Sequence, residues 1–525
     1  MKRMFSLILA LTLLMSVTAA VYSESAKFDP PVTVTAVRII PNTATVSYPE
    51  GDSAENNVWT RRYLDEWGID LQYLWMVPGE TFDERTNLMI ASSDLPDIFR
   101  ATQLQFQQMY EAGLLVDQTE AYDKYATEYT KSVILESGPG QFNASLRDGK
   151  LMALPWTGLP REGFSYISVR ADWEKELGLN GINTWDDLVA YMTAFKGMAD
   201  GNYGYTAYTG PTSLGYIYPL FNAFDSYPEL WVEKDGKLVY GGIQPEARDA
   251  LVAIQKLYTD GLLDPEFGTN DLSKTVELLT SGKVGLYMIS FSGPLYPWQG
   301  LKNNFPETEI SFYPIPKVGG GPATVGHELG LFGYWVVTKG CEYPEAATMM
   351  MNTWMDIFYA NTSDAVYKEM VNWDDGNEVW QNAFVQAYRG FKNLDGYYNN
   401  NAVLNGTMTT AELTPEERGV NEKIMLALGG DTANWAWDRI YGIGGSLSIV
   451  DMYKTQDLYL QNAFTGNPTP TMTDFWAILT KMQLETYTNI IQGADISEFD
   501  AFVDQWMAVA GADITDEVNE WAAAR

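Results

Sequence analysis

The sequence predicts an α/β protein, and three stretches near its start carry that prediction. Residues 32–40 (VTVTAVRII) alternate and are rich in β-branched side chains, the pattern of a buried strand. Residues 58–67 have helical spacing, and residues 69–75 read as the next strand. Strand, loop, helix and strand in this order form the unit of a mostly parallel sheet. Ligands in such sheets bind just past the carboxyl ends of strands, so the polar loop 41–57 is predicted to face a site.

The remaining elements follow the same alternation. Residues 82–92 read as a helix, and 97–99 as a short strand after the Leu95-Pro96 break. Residues 119–129 are helical, 151–155 strand-like and 166–169 a clear strand. Helices are predicted at 173–177 and 185–195, the second opened by Thr184 as N-cap with Asp186 and Asp187 in its first turn. Amphipathic helices at 248–258 and 274–279 precede a strand at 284–289. A strand at 332–338 leads into a helix at 343–355. Residues 361–438 are rich in Asn, Gly, Tyr and Trp and weakly periodic, so they read as irregular helices and loops. Helices at 475–491 and 499–509 close the chain, and there is no internal repeat.

Length and composition set the class. A chain of 525 residues predicts more than one domain, and 46% hydrophobic residues supply an adequate core. The N-terminus has the layout of an export signal: Lys2 and Arg3, an apolar run over 5–17, and small residues at Ala19, Ala20 and Ala26. The expected signal covers 1–20, with its end between 19 and 26. Its apolar run is too short for an ordinary membrane span. The single cysteine, Cys341, excludes an internal disulfide and lies far from any cleavage-site lipid attachment. The expected place of work is therefore extracytoplasmic, with a periplasm favoured.

Formal net charge is −34, and loss of Lys2 and Arg3 with the signal takes it to −36. Such a surface repels nucleic acid and anionic lipid. Aromatic residues make up 14% of the chain, including 17 Trp and 32 Tyr. Flat apolar faces with polar edges suit sugar rings, although most large aromatics serve cores.

Several stretches carry a resemblance. ASSDLPDIF at 91–99 is followed by AGLLVD at 112–117 and GKLMALP at 149–155. SVRADW at 168–173 and LGL at 177–179 lead into TWDDL at 184–188. DGLLDPEF at 260–267, SGKVG at 281–285, GNPTPT at 466–471 and DIT at 513–515 complete the series. In order and spacing these resemble the extracellular solute-binding proteins of family 1, the sugar-capturing subunits of ABC importers. The resemblance implies a two-lobed α/β periplasmic-binding-protein type II fold with a hinge and an interlobe cleft. It places lobe 1 at 28–165 and 338–440, lobe 2 at 170–330 and 446–525, and the hinge near 166–169 and 332–338. It implies a monomer that captures a carbohydrate, an oligosaccharide above all, by lobe closure and delivers it to ABC transporter permease subunits. No cofactor is implied, and the protein is expected not to be an enzyme.

The resemblance and the sequence together nominate ligand-binding residues. Trp298 lies on a Gly/Pro loop (SFSGPLYPW, 290–298), where resembling proteins place an aromatic that stacks on sugar; packing is the alternative. Trp156 follows Leu154-Pro155 at an expected cleft edge. Trp435, Trp437, Arg439 and Tyr441 form a dense cluster. An extended backbone would put both Trp on one face, and the alternative is a satellite core. Asn57 ends the first β–α loop beside Asn56, and Arg100 follows the strand at 97–99. Their alternatives are helix capping and a surface ion pair. Tyr208 and Tyr216 flank the turn 210–213 as second-lobe candidates.

Many family members carry a calcium loop at the place that reads DGNYGY (200–205) here. The acidic pair that would close an oxygen cage is missing, so no metal is expected. His327 is the only histidine, which excludes a histidine-cluster metal site. Two rival readings stand beside the sugar binder: an exported glycoside hydrolase, which needs two carboxylates flanking a sugar, and a binder of peptides or other solutes on the same fold.

Overall fold

The computed structural model describes residues 27–524 apart from 200, 211–212 and 373–376. The expected export signal lies outside the described residues, as does Asp200 of the DGNYGY stretch. The strands run β1 (Val32–Ile39), β2 (Ile69–Val77), β3 (Ile98–Ala101), β4 (Leu146–Arg147), β5 (Lys150–Leu151), β6 (Leu154–Thr157) and β7 (Tyr166–Arg170). They continue as β8 (Trp231–Lys234), β9 (Lys237–Tyr240), β10 (Leu286–Ile289), β11 (Ile310–Tyr313), β12 (Val325–His327), β13 (Leu331–Val337) and β14 (Tyr459–Gln461).

Five strands form one sheet in the order β2-β1-β3-β13-β6. β1 pairs parallel with β2 and β3, Val32 opposite Ile69 and Ala36 opposite Ile98. β13 runs antiparallel between β3 and β6, with Tyr334 opposite both Ala101 and Pro155. The carboxyl ends of β1, β3 and β6 therefore lie on one edge, together with the start of β13. Period-two alternation assigns the faces. Val34 and Ala36, with Trp335 and Val337, pack on the helices Val58–Trp67 and Glu345–Met355 through Trp59, Tyr63, Met350 and Trp354. Val37, with Tyr334 and Val336, packs on the helices Gly79–Ser92 and Gln103–Glu111 through Phe82, Met89, Phe106 and Met109. Both faces are covered, which explains the near-continuous apolar run of β13.

Local chemistry fixes the opening unit. Asn57 caps the helix Val58–Trp67: its side chain accepts from Trp59 N at 3.0 Å and Thr60 N at 3.4 Å, while the Thr60 hydroxyl accepts from Asn57 N. Such a capping box contributes about 1 kcal/mol. Gly68 ends the helix at φ 71°, where a Cβ would come within 2.2 Å of the Phe28 carbonyl oxygen. The chain then enters β2 at once.

A second sheet, β10-β7-β11, is antiparallel throughout, with Met288 and Tyr313 both opposite Ile167. It sits in a core shared with the helices Trp185–Lys196, Pro245–Thr259 and Pro470–Ile491. Thr184 caps the first of these as expected, in a capping box with Asp187. β8 and β9 form a hairpin through Asp235 and Gly236, both at positive φ, a turn the sequence reading passed over.

The segment read as irregular is more regular than expected. It holds the helices Lys392–Leu404 and Pro415–Leu428, which pack with Leu447–Gln456 on Phe164, Tyr166, Ile315 and Val325. The two strands singled out near the hinge lie inside sheets: β7 is the centre of the second sheet and β13 an inner strand of the first. The chain passes between the sheets in the adjoining segments 158–165 and 314–330. These are stitched together by Gly158 N donating to Gly330 O at 2.8 Å and Gln141 Nε2 donating to Gly330 O at 2.8 Å.

Candidate functional site

A cavity of about 270 Å³ opens at the carboxyl edge of the five-stranded sheet. Val37 to Ile40 at the end of β1, Arg100 of β3, Trp156 of β6 and Trp335 of β13 form its floor, and residues between 380 and 388 form its far wall. This is where an α/β sheet presents ligands. The walls are mostly aromatic. Trp156 lies 5.3 Å from Trp335, 5.7 Å from Phe332 and 6.5 Å from Tyr388, nearly parallel to the last at 23°. Phe384 meets Trp335 edge-on at 5.3 Å. Phe332 is 55% exposed, an uncommon state for a ring at the start of an inner strand. Gly158 leaves the ring room, since a Cβ there would come within 3.0 Å of it.

The wall is anchored by side-chain donors. Trp335 Nε1 donates to Gln386 O at 2.8 Å, Trp354 Nε1 to Ala387 O at 2.6 Å and the Thr157 hydroxyl to Tyr388 O at 2.7 Å. Arg38 bridges floor and wall, donating to Ile39 O, Gln381 O, Asn382 O and the Tyr73 hydroxyl. Arg100 lies over the Phe82 ring at 5.1 Å and pairs with Asp83. Arg100 Nε and Trp156 Nε1 are buried and meet no acceptor among the described residues.

Residues 60–356, more than half of the chain, match the profile of the bacterial extracellular solute-binding proteins. The chain belongs to this family. It is 25% identical over 280 residues to the fructooligosaccharide ABC transporter substrate-binding protein FusA of Streptococcus pneumoniae. That match covers 50% of this chain and 49% of FusA, so the chain spans about half the length of that relative. Among solved structures it resembles a human-milk-oligosaccharide-binding ABC-transporter solute-binding protein of Bifidobacterium longum infantis, with TM-score 0.63 and 14% identity over 94% of this chain and 98% of that one. It also resembles the alginate-binding protein AlgQ2 without calcium, with TM-score 0.57 and 16% identity over 96% and 100% of the two chains. These likenesses establish the two-lobed type II periplasmic-binding-protein fold expected from the sequence.

Of the residues nominated from sequence, Trp156 and Arg100 line the cavity. The structure places the others elsewhere. Trp298 is fully buried in the second sheet's core, its indole N–H donating to the Ser168 hydroxyl at 2.8 Å, so packing is what its position supports. Asn57 is spent on its helix cap, the alternative given to it. The Trp435 cluster is a correction. Residues Trp435–Tyr441 form a helix, where positions two apart point to nearly opposite sides. Trp435 packs into the second core. Trp437 stacks on Tyr441 at 6.2 Å beneath Lys423, and Arg439 pairs with its neighbour Asp438. Tyr441 is buried and donates to Asn393 Oδ1 at 2.9 Å. Tyr208 and Tyr216 meet edge to face at 5.3 Å, and Tyr216 continues onto Tyr287.

Sequence reasoning missed Arg38, Phe332, Trp335, Phe384 and Tyr388. One signal was present: VWQNAFVQAY at 379–388 places three aromatic residues within ten inside a stretch with no helical period.

Glu162, in the first connection between the sheets, is fully buried. Its carboxylate accepts from Leu394 N and Asn393 Nδ2, each at 2.8 Å, and so holds the start of the helix Lys392–Leu404. Burial pushes its pKa up to about 7 against the pull of these donors. Among the described residues no group of three or more His, Cys, Asp or Glu is placed to hold a metal ion, and no helix is long and apolar enough to cross a membrane.

Proposed function

We propose that this protein captures a carbohydrate outside the cytoplasm and presents it to an ABC transporter permease, without making or breaking a bond in it. The observation that carries the reading is the aromatic cavity around Trp156, set at the carboxyl edge of the sheet in a member of a solute-binding family. Flat rings beside the Arg100 guanidinium match a sugar's apolar faces and polar rim. The relatives' descriptions point the same way: one is a fructooligosaccharide binder, and others bind milk oligosaccharides and alginate.

In this reading lobe 1 (28–165 and 338–440) holds the cavity and lobe 2 (170–330 and 446–525) closes over it. Movement is taken up in the connections that join β6 to β7 and β12 to β13. Ligand that touches both lobes only when they are closed shifts the population to the closed form by its difference in affinity. The permease reads that form. The exported mature chain works as a monomer in the periplasm or at the cell surface, with no metal and no cofactor.

The test is a thermal-shift screen of the mature protein against mono- and oligosaccharides, with peptides and amino acids as controls and reducing ends measured in parallel. A native-state ligand at 100 times its Kd stabilises by about 2.7 kcal/mol. A shift with one glycan family and no new reducing ends supports the reading. New reducing ends would instead establish a hydrolase, and a shift with peptides alone would remove the carbohydrate.

A further inference from the structure

We propose that the cavity beside Trp156 takes a methyl-bearing sugar unit, a 6-deoxyhexose or an acetylated residue, in preference to a fully hydroxylated one. This rests on the carbohydrate reading above and specifies which part of the sugar the cavity selects.

The argument comes from the polar groups of the wall, which are already engaged. Arg38 gives its guanidinium to three backbone carbonyls and the Tyr73 hydroxyl. Gln381 Oε1 accepts from Asn42 N at 2.9 Å, and its Nε2 donates to Thr45 Oγ1 at 3.0 Å and Glu378 Oε2 at 2.5 Å. Gln386 Nε2 donates to Ala383 O at 3.0 Å, and its Oε1 accepts from the Tyr388 hydroxyl at 3.4 Å. The Trp335 indole N–H is committed to Gln386 O. A sugar hydroxyl that enters must give up water and meets side chains whose first hydrogen bonds are already made within the protein, which weakens its return. A methyl group gives up nothing and gains contact with the rings.

Two of the lining side chains hold a buried nitrogen without an acceptor among the described residues, Arg100 Nε and Trp156 Nε1. Both are donors only. They suit a group that accepts without donating, such as an acetyl carbonyl or a ring oxygen. A hydroxyl needs an acceptor as well. The exposed Phe332, 5.7 Å from both Trp156 and Tyr388, extends the apolar surface at the mouth. The cavity thus rewards an apolar substituent and offers little to a hydroxymethyl group.

Calorimetry on the whole mature protein with matched pairs tests this. Methyl α-L-rhamnoside is compared with methyl α-L-mannoside, methyl α-L-fucoside with methyl α-L-galactoside, and N,N′,N″-triacetylchitotriose with cellotriose. The methyl-bearing member of at least one pair is expected to bind about tenfold tighter, equivalent to about 1.4 kcal/mol. Trp156→Ala and, at the exposed mouth, Phe332→Ala should each bring that ratio close to one. Equal or tighter binding of the hydroxylated member in every pair that binds overturns the proposal and leaves the carbohydrate reading standing. A preference that survives both substitutions removes it from this cavity. Binding of peptides with no binding of any sugar overturns both readings together.

Discussion

The indole N–H of Trp335 donates to the backbone carbonyl of Gln386 at 2.8 Å, and through it an inner strand of the sheet holds the far wall of the cavity. Trp335→Phe should keep most of the ring packing and leave that carbonyl buried without its donor. The expected loss is about 1–3 kcal/mol in urea unfolding, accompanied by weaker ligand binding as the wall loosens. An unchanged unfolding midpoint would show that the wall does not depend on this bond.

Trp156 and Trp298 should separate cleanly. Trp156→Ala is expected to lower ligand affinity about 10- to 100-fold, with little change in melting temperature relative to its burial. Trp298→Ala removes a fully buried ring and its bond to Ser168, and should cost about 3–5 kcal/mol of stability. Calorimetry and denaturant unfolding on both variants check the pair. The reverse result would move the binding site to the 290–298 loop.

Glu162 gives stability a distinct pH dependence. Its pKa rises on folding from 4.5 to about 7, so between those values the folded state binds more protons than the unfolded one. Its contribution is therefore full at acid pH and falls as pH climbs through that window. Glu162→Gln keeps an acceptor for Leu394 N and carries no charge. The variant should gain on the wild type as pH rises from about 5 to about 8, read by urea unfolding at four pH values. Parallel curves for the two proteins would show that Glu162 does not titrate there.

His327 is the only histidine, so its ring proton signals are unambiguous in NMR. Burial pushes its pKa below the ordinary imidazole value, and Nδ1 donates to Glu328 O at 2.7 Å. Its resonances should titrate below pH 6.5, and the cost of charging it should lower stability as pH falls through that region. Titration at or above the ordinary value would show the ring open to water.

Much of the fold was legible in the sequence. Residues 58–67 formed the helix expected of them, because Asn57 and Thr60 announce its start and Gly68 its end. Thr184 was read correctly for the same reason: caps are local, and local chemistry survives in sequence. The candidate site was only half legible. Trp156 and Arg100 follow strands whose carboxyl ends can be read in advance, and both line the cavity. Trp335 and Tyr388 could not be placed, since β13 joins the first sheet between β3 and β6, far from either in sequence. Trp298 misled because a Gly/Pro loop after a strand looks the same whether its ring faces a cleft or a core. The Trp435 stretch misled through its period, as two tryptophans two apart read as a strand face until the backbone proves helical.

The late arrival of β13 bears on how the chain folds as it is made. Among the described residues β6 has no neighbour in its sheet except β13, so residues 154–157 cannot be secured until residues 331–337 have emerged. A chain delivered amino end first carries an incomplete sheet, with its apolar faces open, for much of its synthesis. Long-range pairing of this kind folds slowly. Slow closure keeps the polypeptide threadable through a translocation pore and exposes it to aggregation on the way.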